Sequence, residues 1–530
     1  MKQFITRGEP QVWMTAAALT TTLLMGLTLI VIVMINGLGT FWPARVTEFK
    51  MQSGQSVLGE VLKEEPLPGT DTRRIQLKVG NRDLYGMDFR WIEERQVTER
   101  TLPDHVVALE REEYGNFYGL LKNVHVPGTD KAQPIWQQLV AGREAILPLR
   151  DKLDEIDGHI NDINREIEAL QDRDRLLVYQ GVASGHPERQ HIVAEVSELK
   201  GSFAHWMEQQ RLQKEALADY YAEFSDINGR SAHIELDKIV RAYQPNDLGF
   251  FQRAGIYGSK LVELFVGEPR ESNTEGGLFP AIFGTVLLIF VMSLFSFPLG
   301  VIAAIYLSEY AGEGLMVRLV RIAVNNLAGI PSIVYGIFGL GFFVYGIGSG
   351  IERLFFPERL PTPTFGTGGL LWASLTLALL TVPVVIVTTE EALGAIPGGI
   401  REGSLALGST RFQTLTRILL PMASPGIMTG LILSMARAAG EVAPLMITGV
   451  VKLAPSLPLD GQFPYFHLER KFMHLGFHIY DIGFQSPNVE AARPMVFVTT
   501  LLLVLIVIVM SGVAIRLRNH MKKKYTFGTF

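Results

Sequence analysis

Arg401-Glu-Gly-Ser-Leu-Ala-Leu-Gly408-Ser-Thr-Arg-Phe-Gln-Thr-Leu-Thr-Arg-Ile418-Leu-Leu-Pro421 is a polar interruption in an apolar stretch of chain. It reads as a helix, a glycine turn, a second amphipathic helix and a proline that starts the next segment. Its flanks decide the fold. Residues 360–389 hold no Asp, Glu, Lys or Arg, and 426–450 hold only Arg437 and Glu441. A short helix pair set between two such stretches can act as a lever, because whatever pushes the pair moves both of them.

Further out, 10–44, 276–308, 322–351 and 494–515 are also free of charge. A bilayer core takes about 20 apolar residues per helix. Six membrane spans are therefore expected, at about 14–37, 279–305, 322–345, 369–388, 426–450 and 495–514. The competing reading is a soluble enzyme with buried core helices, and six such lengths in one chain weigh against it. The first run is too long for a signal peptide. It is followed by Asn36-Gly-Leu-Gly-Thr-Phe-Trp-Pro rather than a small-x-small cleavage site. It reads as a retained anchor with Trp42 at the interface. Lys and Arg near span ends favour the cytoplasmic side. Arg318, Arg321, Arg401, Arg411, Arg417 and the tail with Arg516, Arg518 and Lys522 to Lys524 then fall inside, with Lys2 and Arg7. Arg353, Arg359, Lys452, Arg470 and Lys471 fall outside. Both termini (1–13 and 516–530) are expected in the cytoplasm, and residues 44–275 on the far side.

Composition narrows the chemistry. Of 530 residues, 48% are hydrophobic and 19% charged, so the chain is not mainly disordered. Lys plus Arg total 48 against 53 Asp plus Glu, a balance that disfavours a nucleic-acid partner. The absence of cysteine excludes a disulfide framework, a thiolate metal site and a cysteine nucleophile. No Gly-x4-Gly-Lys-Ser/Thr, His-Glu-x-x-His or Gly-x-Ser-x-Gly occurs, so neither ATP binding through a P-loop nor a zincin or hydrolase centre is expected. His467, His474 and His478 cluster in one loop and are expected as interfacial histidines rather than metal ligands. No metal and no cofactor is expected, and the chain is read as non-catalytic.

The segment 44–272 stands apart. Residues 45–126 alternate short strand-like runs with turns, and a small β-rich module is expected there. Across 144–228 the pattern changes. Leu149, Leu153, Ile156, Ile160, Ile163, Ile167 and Leu170 step by four and three. Val196, Leu199, Phe203, Trp206, Gln210, Gln213, Leu217, Tyr220 and Phe224 do the same. Gly181, Gly185 and Pro187 lie between as a turn, so an antiparallel coiled-coil hairpin is expected, with arms of about 42 Å. It is either a docking spike or a stalk packed on itself. Residues 247–265 read as an amphipathic helix lying along the membrane surface.

The spacing of Glu402, Gly408, Ile418, Leu420 and Pro421 resembles the coupling loop of ABC-importer permeases, Glu-Ala-Ala-x3-Gly-x9-Ile-x-Leu-Pro. Gly403 and Ser404 stand where that family has alanine, and both are small enough for close docking. Asn326-Leu-Ala-Gly-Ile-Pro-Ser-Ile-Val-Tyr-Gly, Ala436-Arg-Ala-Ala-Gly-Glu-Val-Ala-Pro-Leu and Asn273-Thr-Glu-Gly-Gly-Leu-Phe-Pro narrow the likeness to PstA-type permeases of phosphate-specific transport. The resemblance covers about 240–530, and 44–230 lies beyond it. It implies an α-helical integral membrane protein of the six-helix ABC-importer permease fold, with a permease domain at 276–515. The large extracytoplasmic α+β insertion with its coiled-coil hairpin is an addition to that fold. It also implies a coupling loop at 390–421, in which Arg401, Glu402, Gly408, Ile418, Leu420 and Pro421 meet a cytoplasmic ATPase dimer. The implied function is ATP-driven phosphate import across the inner membrane by alternating access, with a PstC-type permease and a periplasmic phosphate-binding protein as partners.

Arg437 and Glu441 are read from the residues too. Four apart, they share a helix face and can pair. An ionisable group inside a bilayer costs about 2.5–3.5 kcal/mol on insertion scales and marks either a pathway or a partner. A guanidinium suits a phosphate oxyanion, and the glutamate would temper its grip. The alternative is an ion pair that only locks spans together. Pro298, Pro331 and Pro383 are expected inside spans as kinks that serve gating. Two other functions stay open: a PstC-type or other-oxyanion permease, and a membrane-anchored extracytoplasmic sensor, for whose cytoplasmic output only the short tail is available.

Overall fold

The computed structural model describes residues 9–525 apart from 68, 70–71, 129–132, 271–272, 313, 361–362, 462, 464 and 487–488. Lys2, Arg7 and the end of the tail (526–530) therefore lie outside the described residues, as does the side chain of Lys524. The chain divides into two compact units. One comprises Met1–Thr40, Leu278–Phe355 and Thr362–Phe530, the other Phe41–Gly277 with Phe356–Pro361.

The first unit is helical. Among the described residues six helices are long and apolar enough to cross a membrane: Val12–Gly39, Phe279–Tyr310, Ser332–Phe355, Leu370–Gly394, Arg411–Ala439 and Val489–Lys523. Leu370–Gly394 is the most buried and lies at the centre. It packs against the second span at Gly300, where a Cβ would come within 2.6 Å of Val385, and against the fifth at Gly426, where one would come within 2.5 Å of Ala392. Small residues let these backbones approach, which is how membrane helices gain packing without a hydrophobic drive. A core of Leu288, Met292, Leu370, Leu377, Ala438, Leu445 and Phe472 fills the middle. Pro298 and Pro383 lie inside helices.

Two expected spans are corrected. The third does not run over 322–345. Leu315–Leu327 is a separate amphipathic helix, the chain breaks at Gly329–Pro331, and the span starts at Ser332. A residue before proline is pushed out of the α region, so Ile330 ends one element. Pro331, at φ −56° and ψ 135°, caps the start of the next and is not a kink inside a span. The fifth span does not run over 426–450 either. Its helix stops at Ala439, and Ala443–Thr448 forms a short helix of its own. Pro444 has no N–H to continue the ladder, and its ring opposes the carbonyl of Gly440 four residues back. At the other end the fifth span reaches back to Arg411 through a π-type turn at Leu415–Leu419. Pro421 therefore sits inside a continuous helix instead of starting one. The wide turn just before it accommodates a proline that cannot bond backwards.

The second unit holds two antiparallel five-stranded sheets. The strands are β1 Val46–Met51, β2 Ser56–Pro66, β3 Arg73–Lys78, β4 Phe89–Glu93, β5 Val97–Thr101, β6 Val107–Arg111, β7 Phe117–His125, β8 Tyr221–Ser225, β9 Ser231–Glu235 and β10 Ile239–Tyr243. They order as β4-β3-β2-β1-β5 and β10-β6-β7-β8-β9. Alternation builds the cores: Phe49, Val57, Ile75, Leu77 and Ile92 in one, and Val107, Leu109, Phe117, Phe224, Ile234 and Ile239 in the other. Three asparagine side chains act as strand substitutes. Asn81 Nδ2 donates to Tyr118 O (2.9 Å) while its Oδ1 accepts from Tyr118 N (2.7 Å). Asn246 does the same with Val46 at 2.9 and 3.0 Å, and Asn228 with Ser56 at 3.0 and 3.2 Å.

Helices Leu147–Tyr179 and Pro187–Ala218 pack side by side and antiparallel between β7 and β8. Arg189 pairs with Asp174 at 2.7 Å, Gln210 Nε2 donates to Asp157 Oδ1 at 2.6 Å, and His159 stacks on Trp206 with ring centroids 4.4 Å apart. The second arm is shorter than its apolar stepping suggests. It ends at Ala218, and Phe224 belongs to β8. From Tyr221 the pattern alternates, with Ala222 and Phe224 buried and Glu223 exposed, and that period of two wins over the heptad. The β structure accordingly resumes after the hairpin and is not confined to 45–126.

Candidate functional site

The polar elbow is built from local signals. After the fourth span ends at Gly394, Pro397 caps a helix over Gly398–Ala406. That helix closes at Gly408, whose φ of +88° favours glycine. Gly408 N donates to Leu405 O (2.9 Å) and Ser409 N to Ser404 O (3.2 Å), the paired bonds of a Schellman turn. Thr410 then opens the next helix with a capping box: its Oγ1 accepts from Gln413 N (3.2 Å) and its N donates to Gln413 Oε1 (3.0 Å). The hydroxyls of Ser404 and Thr414, both buried, meet at 2.9 Å and fix the angle between the two helices.

Arg401 fastens this elbow. Its guanidinium donates to Leu393 O (2.7 Å) and Ile396 O (3.0 Å), carbonyls left over where the fourth span ends. It also pairs with Glu309 at the end of the second span, 3.0 Å away. On the inner side Leu393, Ile396, Leu415, Leu419, Ala423 and Ile427 form an apolar cluster. Ile418 and Leu420, singled out from spacing, are only half-buried. Leu415 and Leu419 pack deeper, and the four-residue step 415, 419, 423, 427 was the signal for them. Glu309 had no such signal, since 92 residues separate it from Arg401. On the outer side Glu402 is exposed, Leu407 is 90% exposed and Phe412 66%.

Arg437 and Glu441 meet differently from expectation. Arg437 is in the last turn of the fifth-span helix, whereas Glu441 lies in the break beyond Gly440. The turn, not a shared helix face, brings Arg437 Nε to 3.7 Å from Glu441 Oε1. Both side chains are half-buried. Just beyond, Ala443–Thr448 packs on Ser332–Phe338 so closely that a Cβ on Gly336 would lie 2.8 Å from Pro444 Cα. The Ile-Pro-Ser and Gly-Glu-Val-Ala-Pro motifs are thus neighbours in space. Tyr335, within the first of these helices, lies in the electrostatic reach of Arg437 and donates to Leu327 O at 2.6 Å.

The three histidines of the 449–485 segment go to separate partners. His467 lies between Asp460 and Glu469, 3.1 Å from each. His478 Nδ1 meets Thr499 Oγ1 at 3.2 Å. His474 Nδ1 accepts from Gly476 N at 3.1 Å, and burial pushes its imidazole down to about 3, so it stays neutral. Among the described residues no three His, Asp or Glu converge on a metal-sized site.

Residues 296–523 match the family described as binding-protein-dependent transport system inner membrane component. Three relatives illustrate the match. The probable ABC transporter permease protein YqgH of Bacillus subtilis is 34% identical over 194 residues, 36% of this chain and 59% of that protein. The phosphate transport system permease protein PstA 1 of Mycobacterium tuberculosis is 36% identical over 185 residues, 35% of this chain and 54% of that protein. The phosphate transport system permease protein PstA of Yersinia pestis is 35% identical over 237 residues, 44% of this chain and 70% of that protein. The chain thus spans little more than half the length of the first two. Those matches, the six apolar helices and the elbow between the fourth and fifth agree: the chain belongs to the binding-protein-dependent transport permeases, as a PstA-type ABC permease.

Proposed function

We propose that this chain is one membrane half of an ATP-driven importer that moves inorganic phosphate across the inner membrane by alternating access. The elbow carries the reading. It offers Glu402, Leu407 and Phe412 outward, unburied, on a scaffold that Arg401 bolts to the ends of two spans. A tip that exposes Leu407 and Phe412 beside Glu402 and Arg411 is a surface for a protein, and a cytoplasmic ATPase dimer is the partner that could move it. A PstC-type permease would complete the pore, and a periplasmic phosphate-binding protein would deliver the ion. ATP hydrolysis belongs to the separate subunit. The test is radiolabelled phosphate uptake by the reconstituted complex. Uptake should need ATP and should resist sulfate and molybdate. Equal competition by either oxyanion would refute phosphate as the substrate.

The topology follows from the same reading. Both termini and the 390–421 segment face the cytoplasm, and 44–275 stands in the periplasm with a coiled-coil hairpin as its stalk. The helix Phe250–Val266 lies in the membrane surface. Its charged face is the inner one: Lys260 and Arg241 pair with Glu110, and Glu263 pairs with Arg241 at 3.0 Å. Its outer face carries exposed Phe251, Val262 and Val266, and Trp42 packs 5.8 Å from both Phe250 and Tyr257. Apolar outside and charged inside is the arrangement that suits lipid. With no native cysteine, single-cysteine labelling is clean. A membrane-impermeant maleimide should modify Ser409→Cys only from the cytoplasmic side and Gly185→Cys only from the periplasmic side. Phe251→Cys should react poorly from either. Labelling of Ser409→Cys from outside would overturn the orientation.

A further inference from the structure

A cavity of about 660 Å³ opens between the two sheets of the 41–277 unit. Its floor is apolar, since Val57, Leu58, Val79 and Tyr118 are all buried. Two guanidinium groups stand at its rim, Arg90 on β4 and Arg230 at the β8–β9 hairpin, and both are exposed. Among the described residues neither has a carboxylate within ion-pairing distance. Arg230 lies 4.7 Å over the Tyr85 ring and donates to Leu84 O at 3.3 Å, which leaves most of its donors free.

Asp226 is the one carboxylate among the lining residues, and its bonds are already committed. Its Oδ1 accepts from the amides of Asn228 (2.9 Å) and Arg230 (2.6 Å), bonds that hold the hairpin turn. Its Oδ2 takes the Tyr85 hydroxyl. The cavity therefore presents two arginines against one carboxylate whose acceptors are already occupied, a net positive charge above an apolar floor. Its walls are held in place before any ligand arrives, because Asn81 and Asn228 bridge the sheets on its edges. A preformed wall spares a ligand the ordering cost.

We propose that this cavity binds a small organic anion, with a carboxylate or phosphate head held by Arg90 and Arg230 and an apolar or aromatic body resting on Val57, Leu58 and Val79. Forked guanidinium donors match both head groups. The volume fits the range of about 300–1,000 Å³ in which proteins hold organic ligands, and a bare oxyanion would leave the apolar floor uncovered. The site is separate from the Arg437–Glu441 pair and does not depend on phosphate being the transported ion.

The probe is phenyl phosphate, titrated onto the full-length chain in lipid nanodiscs and followed by ligand-detected NMR, with benzoate as the carboxylate arm. Saturable binding is expected for at least one of the two. Arg90→Gln and Arg230→Gln should each weaken it about tenfold or more, with unchanged melting since both side chains are exposed. Benzyl alcohol, with a similar body and no charge, should bind at least about tenfold more weakly, and excess inorganic phosphate should displace little of the probe. Absence of saturable binding by both anions at millimolar concentration overturns the proposal. So does binding that survives both arginine substitutions, equal binding of benzyl alcohol, or full displacement by inorganic phosphate.

Discussion

Replacing Arg437 with glutamine should reduce phosphate uptake to background while the assembled complex still purifies intact. Glutamine keeps much of the shape and removes the charge. The geometry suggests why the charge matters. At 3.7 Å the Glu441 contact is an ion pair too long for a hydrogen bond, and the guanidinium makes no hydrogen bond among the described residues. Its donors stay available to an oxyanion, while the nearby carboxylate lowers the cost of a charge in the membrane. Losing a charge-assisted partner in a partly desolvated site costs about 2–5 kcal/mol, a loss of about thirtyfold to a few thousandfold. The check is radiolabelled uptake in proteoliposomes beside co-elution of the complex on a sizing column. Wild-type uptake by the variant would leave the pair with a purely structural role. Glu441→Gln is the complement: with the tempering charge gone, phosphate should be held longer and turnover should fall.

The second large effect concerns the insertion. Glu110→Ala should destabilise the 41–277 unit by about 3 kcal/mol or more, because it strands the buried Lys260 and leaves Arg241 with Glu263 alone. Glu110 is itself buried and is shared by Lys260 and Arg241, both more than four-fifths buried. Arg241 also holds Glu263, and Glu263 pairs with Arg270. The expected readout is an early unfolding transition and new proteolytic cuts within 41–277, with the helical unit still intact. Acid should act in the same direction. Burial alone would raise the Glu110 carboxyl, but the Lys260 and Arg241 charges overcome it and hold the group below its usual value. A depressed carboxylate contributes stability that is present above its unfolded value of about 4.3 and is lost as pH falls through the folded one. The wild-type unit should therefore loosen below the ordinary carboxylate range, and Glu110→Ala should flatten that dependence. An unshifted melt for the variant at neutral pH would refute the role of the network.

Much of the helical unit was legible because a bilayer imposes a local demand. A charge-free run of sufficient length is visible wherever it occurs, and the glycine at 408 and the threonine at 410 punctuate the elbow by short-range rules. Breaks inside apolar runs were not legible by hydropathy. Ile330-Pro331 interrupts a helix without changing polarity, and at Gly440 to Pro444 the lone Glu441 reads as an ion-pair partner rather than a break, so the proline chemistry is what marks both. The end of the hairpin was missed because Tyr220 and Phe224 continue the heptad by coincidence just where alternation begins. Partners distant in sequence, such as Glu309 for Arg401 and Lys260 for Glu110, carry no local pattern at all. The position of Arg437 near the Ile-Pro-Ser helix is of the same kind, since the fold alone brings those motifs together.

The strands that flank the long helical arm are direct neighbours, with His125 opposite Tyr221 in register. Chain leaves and re-enters the sheet at the same end of two adjacent inner strands, so the arm is a side branch whose length the sheet does not sense. It is free to lengthen or shorten across evolution in matched heptads, about 10 Å of reach for each pair. Two places limit it: the root, where Leu139, Ile146 and Leu217 belong to the sheet's own core, and the outer part of the first helix, where Asp172 pairs with Arg359 at 3.0 Å.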